Sequence, residues 1–194
     1  MRDVVLRRDT AETKVLVEIG FDEYKEMEIN TPINFLNHML KIFCFHSRFK
    51  LDIEASSHDK DPHHLVEDVA ITLGMCFKNA LGNKKNINRY GYSCIPMDDA
   101  LVMTSVDLSG RAYCKYDLQF THSMINDMSV DLIRHFFESF SANALCTLHI
   151  KQINGIDDHH IAEAAFKSLA HTLSQAVAIT NRYNDSIPSS KGVI

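Results

Sequence analysis

The chain has 194 residues, 45 % hydrophobic and 23 % charged, with a net charge of −5 when histidine is neutral. That is enough for one sizeable core, or for two small halves sharing one. The acidic balance argues against a nucleic-acid partner, and no apolar run approaches a membrane span. The five cysteines show no CxxC spacing and read as reduced thiols. The opening Met1-Arg2-Asp3-Val4 lacks the apolar core of a signal peptide, so a cytoplasmic protein is expected.

In chain order, residues 2–9 alternate charged and apolar. Lys14–Ile19 and Tyr24–Ile29 carry strand patterns, and Gly20–Glu23 between them predicts a hairpin. Pro32 breaks the chain before a helix with an apolar stripe at Met39, Leu40, Phe43 and Cys44. A strand at 49–55 and a polar loop at 56–61 follow. Pro62 then suits the first turn of a helix capped by Asp61, which runs to about Leu81 and stops near Gly82-Asn83.

Residues 84–91 link to a second half. It opens with strands at Ala100–Leu108 and Ala112–Leu118 around a turn at Ser109-Gly110. After a polar stretch at 121–130 come a helix (131–142), a strand (146–153) and a helix (158–180). The tail 186–194 has no periodicity and, taken alone, reads as disordered. The order strand, strand, helix, strand, helix therefore occurs twice. The expected fold is α+β: an internally duplicated half, about 1–91 and 92–180, with two helices packed on one face of a mixed sheet and the halves related by pseudo-twofold symmetry.

The chemistry follows the same repeat. His63-His64-Leu65-Val66-Glu67 and His159-His160-Ile161-Ala162-Glu163 are both HHxxE, and each opens a helical run. At about 100° per residue, the first His and the Glu stack on one face while the two imidazoles diverge. His38 lies 25 residues before His63, and His135 lies 24 before His159, each in a short apolar helix. The halves thus supply His38, His63, His64 and Glu67, and His135, His159, His160 and Glu163. Six histidines and two glutamates divide into two sites of three His and one Glu, without cysteine. Mixed nitrogen and oxygen ligation with open positions favours catalytic Mn²⁺, with Fe²⁺ or Zn²⁺ possible, over a closed structural zinc. His58, His122, His149 and His171 fall outside the repeat. The basic residues Arg89, Arg111, Lys167 and Lys191 stand beside Gly, Ser or a site helix and suit a phosphate. Open positions imply catalysis on the metal, and two specific classes stand among the readings: a metal-dependent hydrolase of a phosphorylated small molecule, and a non-catalytic metal-binding assembly protein.

Several motifs decide the class. Thr10-Ala11-Glu12-Thr13, Phe35-Leu36-Asn37-His38, both HHxxE motifs, Pro96-Met97-Asp98-Asp99-Ala100, Asp107-Leu108-Ser109-Gly110-Arg111 and Pro188-Ser189-Ser190-Lys191-Gly192 together make the chain resemble imidazoleglycerol-phosphate dehydratases of histidine biosynthesis over essentially its whole length. The resemblance implies dehydration of imidazole glycerol phosphate by a homo-oligomer of 24 subunits, with two Mn²⁺ per active site at subunit interfaces. It implies that the eight residues above are metal ligands and that Glu12 is the acid/base. It places Arg89, Arg111, Ser189, Ser190 and Lys191 on the substrate phosphate, and His46 and Lys167 in substrate-contacting segments. The tail then becomes part of the site. No phosphatase-like extension precedes the chain, so the monofunctional form is expected. Three departures stand out: Asp61-Pro62 in place of an Asp-Asp pair, Ala112 in place of Pro, and Asp99 in place of Glu. None of the three is expected to touch a ligand.

Overall fold

In strand β2 (Thr13–Gly20) the side chains of Thr13, Val15, Val17 and Ile19 are buried while Lys14 and Leu16 face outward. This period of two marks a sheet with one covered face. The computed structural model describes residues 2–25 and 27–194. Around β2 lie β1 (Asp3–Asp9), β3 (Glu28–Asn30) and β4 (Lys50–Ser57), in the order β1-β2-β4-β3. Helices α1 (Asn34–Ser47) and α2 (Pro62–Leu81) complete the half.

The second half repeats this plan. Its sheet is β5-β6-β10-β7, from β5 (Tyr90–Met97), β6 (Ala100–Asp107), β7 (Tyr113–Asp117) and β10 (Thr147–Asn154). Its helices are α3 (Val130–Ala144) and α4 (Asp158–Val177), and a small hairpin, β8 (Met124–Ile125) and β9 (Met128–Ser129), precedes α3. In both halves the first three strands of the order are antiparallel and the last pair is parallel. α1 packs on α4, and α2 on α3. Exchanging the halves maps one contact onto the other, as a pseudo-twofold axis requires.

Two expected pairings are absent. Among the described residues, 14–19 pair with β1 and β4 and not with 24–29, where Glu28–Asn30 forms a strand that pairs parallel with β4; residue 26 of the expected strand lies outside the described residues. Nor do β6 and β7 pair around Ser109-Gly110; β10 lies between them. The reason is the same in each half. A helix connects β3 to β4 and β7 to β10, and such a crossover brings its second strand back parallel to the first. Strands β4 and β10 carry the buried alternations Leu51, Ile53, Ala55 and Leu148, Ile150, so each takes the central place. β5, to which the sequence reading assigned no element beyond the linker end at Tyr90-Gly91, forms a hairpin with β6 through Asp98-Asp99.

The starts of α2 and α4 are capped locally by side chains, and those of α1 and α3 are not. Asp61 accepts from the His63 N–H at 2.8 Å, with Pro62 in the first turn, as expected. Asp157 accepts from His159 and His160 N–H. Helix α1 has no side-chain cap of its own. Asp127, in the β8–β9 turn, accepts from Asn34 N–H at 2.7 Å and Phe35 N–H at 2.9 Å. At the α2–α3 crossing, Gly74 sits so close to α3 that a Cβ there would lie 2.7 Å from the Phe140 carbonyl oxygen. The tail is ordered rather than loose: the Asn86 N–H donates to Ser186 O, and Pro188 is buried.

Candidate metal centre and active site

The two helix–helix crossings gather the repeated motif residues. Where α1 meets α4, His38 Nε2 lies 3.5 Å and His159 Nε2 3.4 Å from one oxygen of Glu163. Where α3 meets α2, His135 Nε2 lies 3.5 Å from Glu67 Oε1, and the His63 ring stacks on His135 with centroids 4.4 Å apart. In each trio the ligand atoms lie within 4.8 Å of one another. Each trio takes its HHxxE residues from one half and its lone histidine from the other.

The donor set fits a divalent ion. Two ligands at about 2.1 Å from one ion stand about 3.0–3.4 Å apart, depending on the angle between them. His135 Nε2 is buried and has no hydrogen-bond partner, a state that costs free energy unless something fills the gap. Glu163 is kept ionised. Burial alone raises its pKa, but the hydrogen bond and charge of Lys167, with the nearby His38 and His159, bring it below the ordinary value.

Each trio holds two histidines and one glutamate, not the expected three and one. Successive helical residues diverge, so His64 and His160 point away from the trios. His64 Nδ1 lies 2.6 Å from Asp59 Oδ2, and His160 Nδ1 lies 2.6 Å from Asp99 Oδ1. Asp99 therefore does touch one of the expected ligands, contrary to the reading of that departure as remote. The cause is the β5–β6 hairpin, which delivers its turn to the start of α4. Glu12, in the corresponding β1–β2 turn, has Oε2 3.7 Å from His64 Nδ1. The turn is tied down by Asp68, whose carboxylate is bonded to Arg8 and to the Thr13 hydroxyl, with Thr10 Oγ1 at 3.4 Å.

The basic set gathers elsewhere. Arg89 forms a two-pronged bond to Asp107, and its Nη1 donates to Pro188 O at 2.9 Å, fastening the tail. The C-terminal residue Ile194 reaches Gly110, beside Arg111. Ser189 Oγ accepts from the Lys191 N–H, and Ser190 is exposed. Lys84, not singled out in the sequence, donates to Leu108 O at 3.0 Å and lies against Gly110. All these residues cluster by the C-terminal ends of α2 and α4: Arg89 N–H donates to Ala176 O and Lys84 N–H to Leu81 O. The trios lie at the N-terminal ends. From His63 to Leu81, or from His159 to Ala176, the helix runs about 25 Å at about 1.5 Å per residue. Lys167 is not with the basic set; its Nζ binds Glu163 Oε1 at 2.6 Å. His46 lies further along α1, its ring centroid 5.3 Å from that of His171. Burial, with His171 and Lys167 nearby, holds its pKa down.

The family model described as imidazoleglycerol-phosphate dehydratase matches residues 31–173, which include all eight candidate metal ligands. The chain belongs to the imidazoleglycerol-phosphate dehydratase family. It is 40 % identical to the imidazoleglycerol-phosphate dehydratase of Caldicellulosiruptor saccharolyticus over 190 residues, 97 % of this chain and 96 % of that one. It is 42 % identical to that of Lactococcus lactis subsp. cremoris, covering 100 % of this chain and 98 % of the relative. The crystal structure of the enzyme from Staphylococcus aureus subsp. aureus N315 superposes with a TM-score of 0.83 at 34 % identity, over 91 % of this chain and 100 % of that one. The enzyme from Pyrococcus furiosus does so with a TM-score of 0.85 at 39 % identity, over 97 % and 100 %. The protein is thus a hydro-lyase of histidine biosynthesis acting on a phosphorylated imidazole substrate. Among the described residues, no helix is long and apolar enough to cross a membrane.

For a dehydratase of this family, the sequence reading missed the residues that support the site. Asp59 and Asp68 flank the first HHxxE motif, and Lys84 lies in the segment that links the halves. A carboxylate or ammonium carries no spacing signal for a partner on another element.

Proposed function

We propose that the chain converts D-erythro-imidazole glycerol phosphate to imidazole acetol phosphate on two Mn²⁺ ions, in a large cytoplasmic homo-oligomer of 24 subunits. The observation that carries this reading is the pair of mirrored trios, His38/His159/Glu163 and His63/Glu67/His135. Their nitrogen and carboxylate donors, without thiolate, suit Mn²⁺. When bound, such ions make an attached imidazole ring easier to deprotonate.

The rest of the chemistry belongs to this chain's side chains. Glu12 takes and returns protons, including the one on the side-chain carbon second from the ring, as the hydroxyl departs from the carbon attached to the ring. Its turn is braced by Asp68 through Thr13, so the carboxylate is held ready beside His64. Arg89, Arg111, Ser189, Ser190 and Lys191 hold the phosphate. Lys167 keeps Glu163 ionised, and His46 lines the approach along α1.

The separation of about 25 Å along α2 and α4 means that one small substrate cannot touch both the trios and the basic set of the same chain. A second subunit therefore supplies the missing part. The same holds for His64 and His160, whose outward Nε2 atoms complete trios on neighbouring copies.

The test is direct. Protein loaded with Mn²⁺ is given imidazole glycerol phosphate, and the ketone product is expected without release of inorganic phosphate. Glu12→Gln should keep its metal and assembly while turnover falls about 10²- to 10⁴-fold. Phosphate release, or normal turnover in Glu12→Gln, contradicts the assignment.

A further inference from the structure

The two histidines that leave the trios share a feature that the duplication does not explain. His64 and His160 are equivalent positions, the second His of each HHxxE. Each has a carboxylate oxygen 2.6 Å from Nδ1. The two carboxylates, however, come from non-equivalent places. Asp59 lies in the loop between β4 and α2, in the same half as its histidine and five residues before it. Asp99 lies in the β5–β6 turn, 61 residues before its histidine. At the position equivalent to Asp59 the second half has the Gly155 region, and the turn equivalent to Asp99's carries Glu12, whose nearer oxygen stands off at 3.7 Å.

Both carboxylates are themselves immobilised. Asp59 Oδ1 accepts from Ser57 Oγ at 2.7 Å and Asp61 N–H at 3.0 Å. Asp99 Oδ2 accepts from Ile156 N–H at 2.6 Å and Asp157 N–H at 3.0 Å. One oxygen of each is anchored to the loop that starts the helix, and the other is aimed at the ring. Had the bond been a by-product of the duplicated fold, it would come from equivalent positions. Two different loops make the same bond, so the bond itself is the common requirement.

We infer that Asp59 and Asp99 are positioning residues that hold His64 and His160 in the Nδ1–H tautomer, with the Nε2 lone pair facing outward as a metal donor for a neighbouring subunit. The donor role rests on the reading above that these histidines ligate metal; the tautomer does not. An ionised carboxylate accepts only, so the proton on the neutral ring sits on Nδ1, which is 2.6 Å from Asp59 or Asp99, whereas Asp98 Oδ2 stands 3.5 Å from His160 Nε2, beyond a good hydrogen bond. That leaves Nε2 as the free acceptor, the form in which imidazole binds a metal. The carboxylate also fixes the ring plane and raises the basicity of Nε2.

The first experiment needs no metal. Long-range ¹⁵N–¹H correlation spectra of metal-free, ¹⁵N-histidine-labelled protein, in alkaline buffer where the rings are neutral, report which nitrogen carries the proton. His64→Ala and His160→Ala spectra assign the two rings. Both should be Nδ1–H, and the preference should be lost at His160 in Asp99→Asn and at His64 in Asp59→Asn. An Nε2–H form in the parent protein, or an unchanged tautomer in the Asn variants, overturns the proposal.

The second experiment separates positioning from stability. Mn²⁺ affinity should fall about 10- to 100-fold in Asp99→Asn, but by less than about twofold when the same change is made in His160→Ala. Asp59→Asn and His64→Ala should behave in parallel. An equal loss in both backgrounds shows that Asp99 acts through the fold and not through the imidazole, and refutes the positioning role. If the spectra show the Nδ1–H form but the parent protein binds no divalent ion, the metal reading fails while the tautomer assignment stands.

Discussion

Gly74→Ala tests how tightly the α2–α3 crossing sets the geometry of one trio. Gly74 lies in the interior of α2, where alanine is favoured by about 1 kcal/mol on helix propensity alone. The crossing opposes this gain. The added Cβ would lie 2.7 Å from Phe140 O, and 2.9 Å from Ala144 N and Asn143 Cβ. Two of these are backbone atoms of α3 and cannot rotate aside. Ordinary contact begins near 3.4 Å, so the helices must part by several tenths of an ångström. Overpacking of this kind costs about 1–3 kcal/mol, leaving a net loss of about 0–2 kcal/mol. For a chain of this length that is a fall in Tm of up to about 8 °C.

The same displacement opens the gap between His135 on α3 and His63 and Glu67 on α2, beyond the roughly 0.5 Å tolerance of a ligand set. The α1–α4 trio does not depend on this crossing. Metal analysis with calorimetric titration should therefore show one of two ions per chain weakened about tenfold or more and the other retained. A rise in Tm, or equal loss of both ions, would refute the reasoning.

Three further outcomes follow from the same geometry. Arg111→Ala should raise KM about 10- to 100-fold, the equivalent of a charge-assisted contact of about 1.5–3 kcal/mol, with metal content unchanged in elemental analysis. Chelation should reduce the particle to smaller oligomers, and Mn²⁺ should rebuild it, because metal shared between subunits makes binding energy into assembly energy; light scattering that shows a full-sized apo particle contradicts this. Asp127→Asn should cost about 1 kcal/mol at neutral pH, because an amide keeps one of the two acceptor oxygens that bind the Asn34 and Phe35 N–H groups and removes the negative charge at the start of α1. Burial alone raises the pKa of Asp127, but hydrogen bonds from Phe35 and Asn34 outweigh it and the pKa is lowered. Its contribution is therefore full above the ordinary carboxylate range and is lost as pH falls through the depressed value. The Tm difference between parent and variant should be largest at neutral pH and should vanish in strong acid.

The His–Glu pairs of the two trios were legible in the sequence because a helix imposes its own geometry. His63 with Glu67, and His159 with Glu163, share a face at any place in any fold. Asp61 and Pro62 fixed the start of α2 for the same local reason. The repeat spacing of His38 and His135 added the third member of each trio, though not its partner. Which helix each would meet is a property of the crossings, and only the tertiary structure pairs α1 with α4 and α2 with α3. Strand neighbours were misread at both Gly20–Glu23 and Ser109-Gly110, because a turn signal is local while the strands that take the central places, β4 and β10, return through a helix. The tail has no pattern of its own, and its order comes from Arg89, 99 residues before Pro188. Asp59 and Asp99 show the same divide. Periodicity records which face a side chain shares within its own element, but a single hydrogen bond between loops leaves no period to read.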